Sequence, residues 1–221
     1  MKKRTGVLIA VKLIFILSLV VLIYSVVQVI KAPIEAKQAL NDWAKKREEA
    51  IARPTPSEET PLPEGMFSSP KEQPLTPQSY LEGEVIGEIR FPTLNKRVAI
   101  LEGTESPELK KGAGHYIGSA ALGEIGNSVL AGHRDTVFRN LGELVTGDHI
   151  ELESAEGIFI YEVTGSTIVD GQERGAIKQS DKAILTLITC YPFSYVGSAP
   201  DRYLLSAKLI KQETLLNDLQ P

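Results

Sequence analysis

Cysteine is almost absent, since Cys190 is the single one among 221 residues. No disulfide can form within the chain, and a cysteine-rich metal site is excluded. A lone thiol is either a small buried hydrophobe or a reactive group, and its surroundings decide which. Acidic residues are missing from the first thirty positions, which carry Lys2, Lys3, Arg4 and Lys12. Positions 81–221 have no basic excess, with thirteen basic side chains against twenty acidic ones. Phosphate binding needs clustered Lys and Arg, so a nucleic-acid partner is not expected. No internal repeat is visible.

Polar residues are sparse from Val7 to Ile30, where only Lys12, Ser18, Ser25 and Gln28 interrupt the apolar run. Leu13 to Ile30 would span roughly 27 Å as a helix, close to the thickness of a hydrocarbon core. The run is too long for a signal-peptide core, and Lys31–Ala36 is a poor cleavage site. An uncleaved transmembrane anchor over 1–30 is therefore expected. Its basic tip would stay in the cytoplasm and the remainder would lie outside.

A stem is expected over 31–79. Ile34 to Arg53 reads as a helix with Pro33 in its first turn and charged residues on its surface. It is expected to be a solvated stalk, with Trp43 as its one large aromatic side chain. Seven prolines between Pro54 and Pro77 then exclude helix and inner strand, leaving an extended spacer.

From Tyr80 to the C-terminus the pattern changes to short β-type runs separated by turn signals. Strands are predicted at Glu84–Phe91, Lys96–Leu101, Gly112–Tyr116, Asn127–Gly132, His149–Glu153, Ile158–Val169, Ala183–Thr189 and Arg202–Ile210. Helical pieces are predicted at Ser106–Lys111 and Val137–Leu144. Eight short strands make the third region, 80–221, an all-β barrel or sandwich.

Three polar groups fall at strand ends: Cys190 after Ile184–Thr189, His133 after Ser128–Gly132, and Arg202 at the start of the last strand. Strand ends deliver side chains to a rim on rigid backbone, which catalytic positioning requires. Few thiols are ionised at neutral pH, but an imidazole can take the proton or stabilise the thiolate. An arginine can neutralise the oxyanion that attack on an amide creates. Taken singly, each has an ordinary explanation: core filler, a structural histidine, an ion-pair partner for Asp201.

The run Thr186-Leu187-Ile188-Thr189-Cys190 matches the sortase signature T-L-x-T-C. Ala131-Gly132-His133 at an earlier strand end and Arg202 at the next strand complete the pattern in order. The chain thus resembles the sortase family over roughly 81–210. Gly126–Thr136 and Cys190-Tyr191-Pro192-Phe193 look most like class D. The Asp-Pro-aromatic lid and second hydrophobic segment usual in class C are not found, nor is the late helix of class B, which leaves class D or, as the alternative, class A.

The resemblance implies an eight-stranded sortase β-barrel with short helices, and a cysteine transpeptidase outside the membrane of a Gram-positive cell. It implies cleavage of an LPxTG-like sorting signal after Thr, a thioester on Cys190, and transfer to an amine of a peptidoglycan precursor such as the lipid II stem peptide. By position, Cys190 is the nucleophile, His133 the general acid and base, and Arg202 the oxyanion or substrate-orienting group. Thr189, His115 and Asp135 are further candidates near substrate or oxyanion. For His115 a structural or groove role is favoured over catalysis. Asp135 either holds the His133 ring or caps a helix near Val137, with the cap favoured. No cofactor is expected. Asp170, Glu173 and Asp181 around the Gly171–Lys182 loop offer calcium modulation as the alternative to a solvated acidic loop.

Overall fold

The computed structural model describes residues 2–52, 80–173, 175–194 and 197–213. The predicted proline-rich spacer and the last residues of the chain lie outside them. Helix α1 covers Lys2–Ala52. Eight strands follow: β1 (Val85–Phe91), β2 (Lys96–Glu102), β3 (Ala113–His115), β4 (Gly126–Ala131), β5 (His149–Ser154), β6 (Gly157–Asp170), β7 (Ala183–Tyr191) and β8 (Asp201–Glu213). Helix α2 (Ser106–Lys111) lies between β2 and β3.

The strands close into a barrel in the order β1-β2-β3-β4-β7-β8-β6-β5, with β5 returning to β1. This is the all-β barrel expected. Ile89, Ile100, Leu130, Ile150, Leu152, Leu185, Leu187 and Leu205 are fully buried within it. Alternation along β6 from Gly157 to Val163 puts Phe159, Tyr161 and Val163 inside. Register shifts between β6 and β8 bend these two long strands around the barrel.

Two pairs, β2–β3 and β4–β7, are parallel, and every other pair is antiparallel. The β4–β7 pair decides where the site forms. Parallel strands finish at the same rim, and β8, antiparallel to β7, starts there.

Two helical expectations need correction. Val137–Leu144 forms consecutive turns ending in a single 3-10 turn at Leu141–Glu143. The Phe138 N–H reaches the His133 carbonyl at 2.8 Å, and Asn140 and Gly142 are poor helix formers. The expected anchor and stalk are instead one continuous helix, with Pro33 in its interior. Proline removes one backbone hydrogen bond there, while its Ala-, Lys- and Glu-rich surroundings keep helical geometry.

Nor is the stem a solvated stalk. Ala39 and Trp43, four residues apart on one helix face, are buried at 3% and 5% exposure. Ala39 packs with Ala99 and Leu101 of β2, where its small side chain permits close approach. Lys46 Nζ donates to Glu84 Oε1 at 2.9 Å and to the Val85 carbonyl at 3.0 Å. Arg47 Nη1 donates to Glu153 Oε1 at 3.2 Å.

Toward the other end of α1, the described apolar side chains from Val11 to Val27 are exposed. Among the described residues no helix is long and apolar enough to cross a membrane.

Candidate active site

β4, β7 and β8 are consecutive in the barrel and carry His133, Cys190 and Arg202 to one rim. Cys190 and Arg202 are direct cross-strand partners. Across the parallel pair, Ala131 lies opposite Ile188, and the Gly132 N–H donates to the Ile188 carbonyl at 3.0 Å. His133 follows Gly132 directly, so it leaves β4 beside the end of β7 that carries Cys190. Alternation puts Leu185, Leu187 and Thr189 on the interior face and Cys190 on the outer one, where it is half-buried. His133 is exposed at the strand end.

The two threonines of the motif each have a task. Thr186 Oγ1, buried, donates to Asn127 Oδ1 at 2.8 Å, and Asn127 Nδ2 donates to the Lys178 carbonyl at 2.9 Å. This chain ties the β6–β7 segment to the strands beneath it. Thr189 Oγ1 donates to the Gly132 carbonyl at 2.7 Å, joining the residue before the thiol to the residue before the imidazole. Thr189 therefore acts through backbone placement, with its hydroxyl turned away from the outer face.

Gly132 is required by close approach, since a Cβ there would lie 2.6 Å from the Phe138 ring. That ring belongs to the turn whose Phe138 N–H bonds to the His133 carbonyl. Gly171 is constrained likewise, because a Cβ would lie 2.5 Å from the Pro200 carbonyl and 3.1 Å from Arg202 Nη1. Arg202 Nη1 donates to the carbonyls of Asp201 at 2.9 Å and Ala199 at 3.3 Å. Both bonds use the same nitrogen of a five-donor group. Beyond Cys190, Tyr191, Phe193 and Tyr203 form an aromatic cluster, with the Phe193 and Tyr203 ring centroids 5.2 Å apart.

His115 is held elsewhere. It ends β3, two strands from β7, and its Nδ1 lies 2.9 Å from Glu102 Oε2. Its Nε2 lies 3.0 Å from both the Ala120 carbonyl and Ser119 Oγ. Burial pulls this imidazole's pKa down, but the hydrogen bond and charge of Glu102 outweigh it, leaving it above the usual histidine value. Both ring nitrogens are occupied by neighbouring groups of the barrel, which gives His115 a structural role.

Asp135 lies exposed in the turn after His133, and the predicted helix it would cap is not formed. In the acidic loop, Asp170 Oδ1 accepts from the Gln172 N–H at 2.7 Å. Among the described residues no three His, Cys, Asp or Glu side chains are grouped to hold a metal ion.

Sequence reasoning missed Asn127 and Arg134. Arg134 Nη1 donates to the Pro192 carbonyl at 3.1 Å and Nη2 to the Gly197 carbonyl at 2.8 Å. Asn127 lies in a strand that is otherwise mostly apolar, the one signal that could have flagged it. A cleft of about 340 Å³ between α1 and β1, lined by Trp43, Lys46, Tyr80 and Ile86, lies across the barrel from Cys190.

The arrangement can perform nucleophilic acyl chemistry: a half-exposed thiol, an imidazole on the adjacent strand end, and a guanidinium on the other side. Comparison with known proteins agrees. The Sortase domain family model matches residues 89–210. Sortase D of Bacillus subtilis is 46% identical over 129 residues, covering 58% of this chain and 65% of that protein. Sortase A of Listeria monocytogenes is 30% identical over 146 residues, 64% of each. The chain thus spans a little under two thirds of these relatives' lengths.

Among solved structures, a sortase D transpeptidase from Clostridium perfringens superposes with a TM-score of 0.60 at 26% identity. That match covers 80% of this chain and 99% of that one. The catalytic domain of B. anthracis SrtD gives 0.54 at 38% identity, covering 63% and 96%. With the barrel, the ordered Cys, His and Arg at one rim, and a family match across more than half its length, the chain belongs to the sortase family.

Proposed function

We propose that this protein is a membrane-anchored cysteine transpeptidase that attaches secreted proteins to the cell wall of a Gram-positive bacterium. The observation that carries the reading is the convergence of Cys190, His133 and Arg202 on three adjacent strands at one rim. The relative from C. perfringens, described as a transpeptidase, supports it.

The substrate in this reading is a sorting signal of LPxTG or LPxTA type. The Cys190 thiolate attacks the carbonyl carbon of the Thr residue, and negative charge builds on its oxygen. Arg202 meets that charge through nitrogens other than Nη1, with a backbone N–H near the cysteine. As the C–N bond breaks, the His133 imidazolium gives its proton to the departing amine. The acyl part remains as a thioester on Cys190. An amine of a peptidoglycan precursor, a diaminopimelate-type stem peptide, then attacks the thioester. His133, now neutral, accepts its proton, the amide forms, and the thiolate returns. Each charge that develops is met by a protein group.

The exposed apolar run of α1 and the Lys2-Lys3-Arg4 tip support an anchor with the N-terminus inside and the barrel outside. Incubating the purified protein with a sorting peptide and a stem-peptide amine tests the reaction. A new amide product is expected. Persistent hydrolysis without it would show a peptidase instead.

A further inference from the structure

We infer that Arg134 is a positioning residue that holds the imidazole and the thiol in register from the side opposite Thr189. The inference rests on the assignment of Cys190 and His133 as the reacting pair.

The two segments that carry these side chains are joined on both sides of the pair. On the barrel side, Thr189 Oγ1 bonds to the Gly132 carbonyl at 2.7 Å. These are the residues immediately before Cys190 and His133. On the other side, the Arg134 guanidinium reaches the chain beyond Cys190 at two carbonyls, Pro192 at 3.1 Å and Gly197 at 2.8 Å. His133 and Cys190 therefore lie between two ties, each linking the β4 exit to the β7 exit.

The turn that presents Arg134 is itself closed on His133. The His133 carbonyl accepts from the N–H groups of Phe138 at 2.8 Å and Thr136 at 3.4 Å. A shift of the guanidinium is thus transmitted to the imidazole through a short, hydrogen-bonded turn.

Residue type matters here. A planar guanidinium presents two nitrogens in fixed relation and can span two carbonyls at once, whereas a lysine ammonium is a point donor on a flexible stem. Arg202 divides the neighbouring carbonyls with it, taking Ala199 and Asp201. The two arginines together fix the described ends of the β7–β8 connection, one from the His133 turn and one from β8. Without Arg134, the hydrogen bonds described between the β4 exit and β7 are the backbone ladder and that of Thr189. An ångström of misplacement between reacting groups costs on the order of a hundredfold in rate.

The test uses the full-length protein with Arg134→Ala, Arg134→Lys, His133→Ala and the Arg134→Ala/His133→Ala double variant. For acyl transfer from a sorting peptide, Arg134→Ala is expected to lower kcat by roughly ten- to a hundredfold, with KM within about threefold. Arg134→Lys should recover little of the loss. Alkylation of Cys190 by iodoacetamide, which needs no peptide, should change in the same direction in Arg134→Ala as in His133→Ala. The double variant should lie within about twofold of His133→Ala, because both act through the same pair.

A loss confined to KM would make Arg134 a substrate contact and overturn the inference. So would full rescue by lysine, wild-type alkylation in Arg134→Ala, or activity lost only in proportion to a fall in Tm. If Arg134→Ala does not fold, Arg134→Lys carries the same comparison. If the wild type is acylated by no sorting peptide, the functional reading fails, while the alkylation series still decides the role of Arg134.

Discussion

Thr186, Thr189 and His115 are all buried polar residues of the barrel, and each has its hydrogen-bonding groups engaged. Thr189→Val keeps the shape and removes one hydroxyl, leaving the Gly132 carbonyl without that donor. The expected loss is about 1–2 kcal/mol, read as a lower urea midpoint at unchanged slope. Transfer activity should fall further than stability, because the bond joins the segments that carry Cys190 and His133. His115 supplies a pH signature. Its raised folded-state pKa means that its stabilisation is fully present below the unfolded value of about 6.5 and is lost as pH rises through the folded value. Urea unfolding across that interval should show the wild type losing stability relative to His115→Gln, and parallel curves would remove the Glu102 pairing as its source. The strand-end positions of Cys190, His133 and Arg202 were legible in the sequence because apolar runs end there and a known signature coincides with them. The hydrogen-bonding roles of Asn127 and Arg134 were not, since their partners, the Thr186 hydroxyl and the carbonyls of Lys178, Pro192 and Gly197, lie more than fifty residues away in sequence.

At the scale of elements, the parallel β4–β7 pair and the antiparallel return of β8 gather three dispersed residues at one rim. All eight strands were legible from alternation and turn residues, with bounds differing by a few residues. Strand order was not, because the pairing of β4 with β7 depends on contacts more than fifty residues apart. The helical segments misled for physical reasons. Composition between Pro33 and Arg53 reports helix propensity and surface charge, and these suit a docked helix as well as a free one. Only the burial of Ala39 and Trp43 and the reach of Lys46 and Arg47 distinguish the two. Trp43→Ala should release α1 from the barrel. Hydrogen exchange of the amides around Trp43 is expected to rise at least tenfold, with a stability loss of at most about 3–5 kcal/mol. Unchanged protection would contradict a packing role for the indole.

For the whole molecule, the charge distribution and the continuous helix point the same way. A basic, apolar N-terminal end leads without a break into a segment fastened to an acidic barrel. On the proposed anchor, Trp43 stands about 24 Å along the helix from Val27, so α1 itself holds the barrel near the membrane surface. The rim that carries Cys190 and the docked helix occupy opposite sides of the barrel, which leaves Cys190 clear of α1. The proposed reaction turns on one covalent event at Cys190. Mass spectrometry of the intact protein after incubation with an LPxTG-type peptide tests it directly. An adduct on Cys190 with the mass of the peptide through its Thr is expected, discharged on adding an amine and missing in Cys190→Ala. An unmodified Cys190 beside cleaved peptide, or an adduct on another residue, would contradict it.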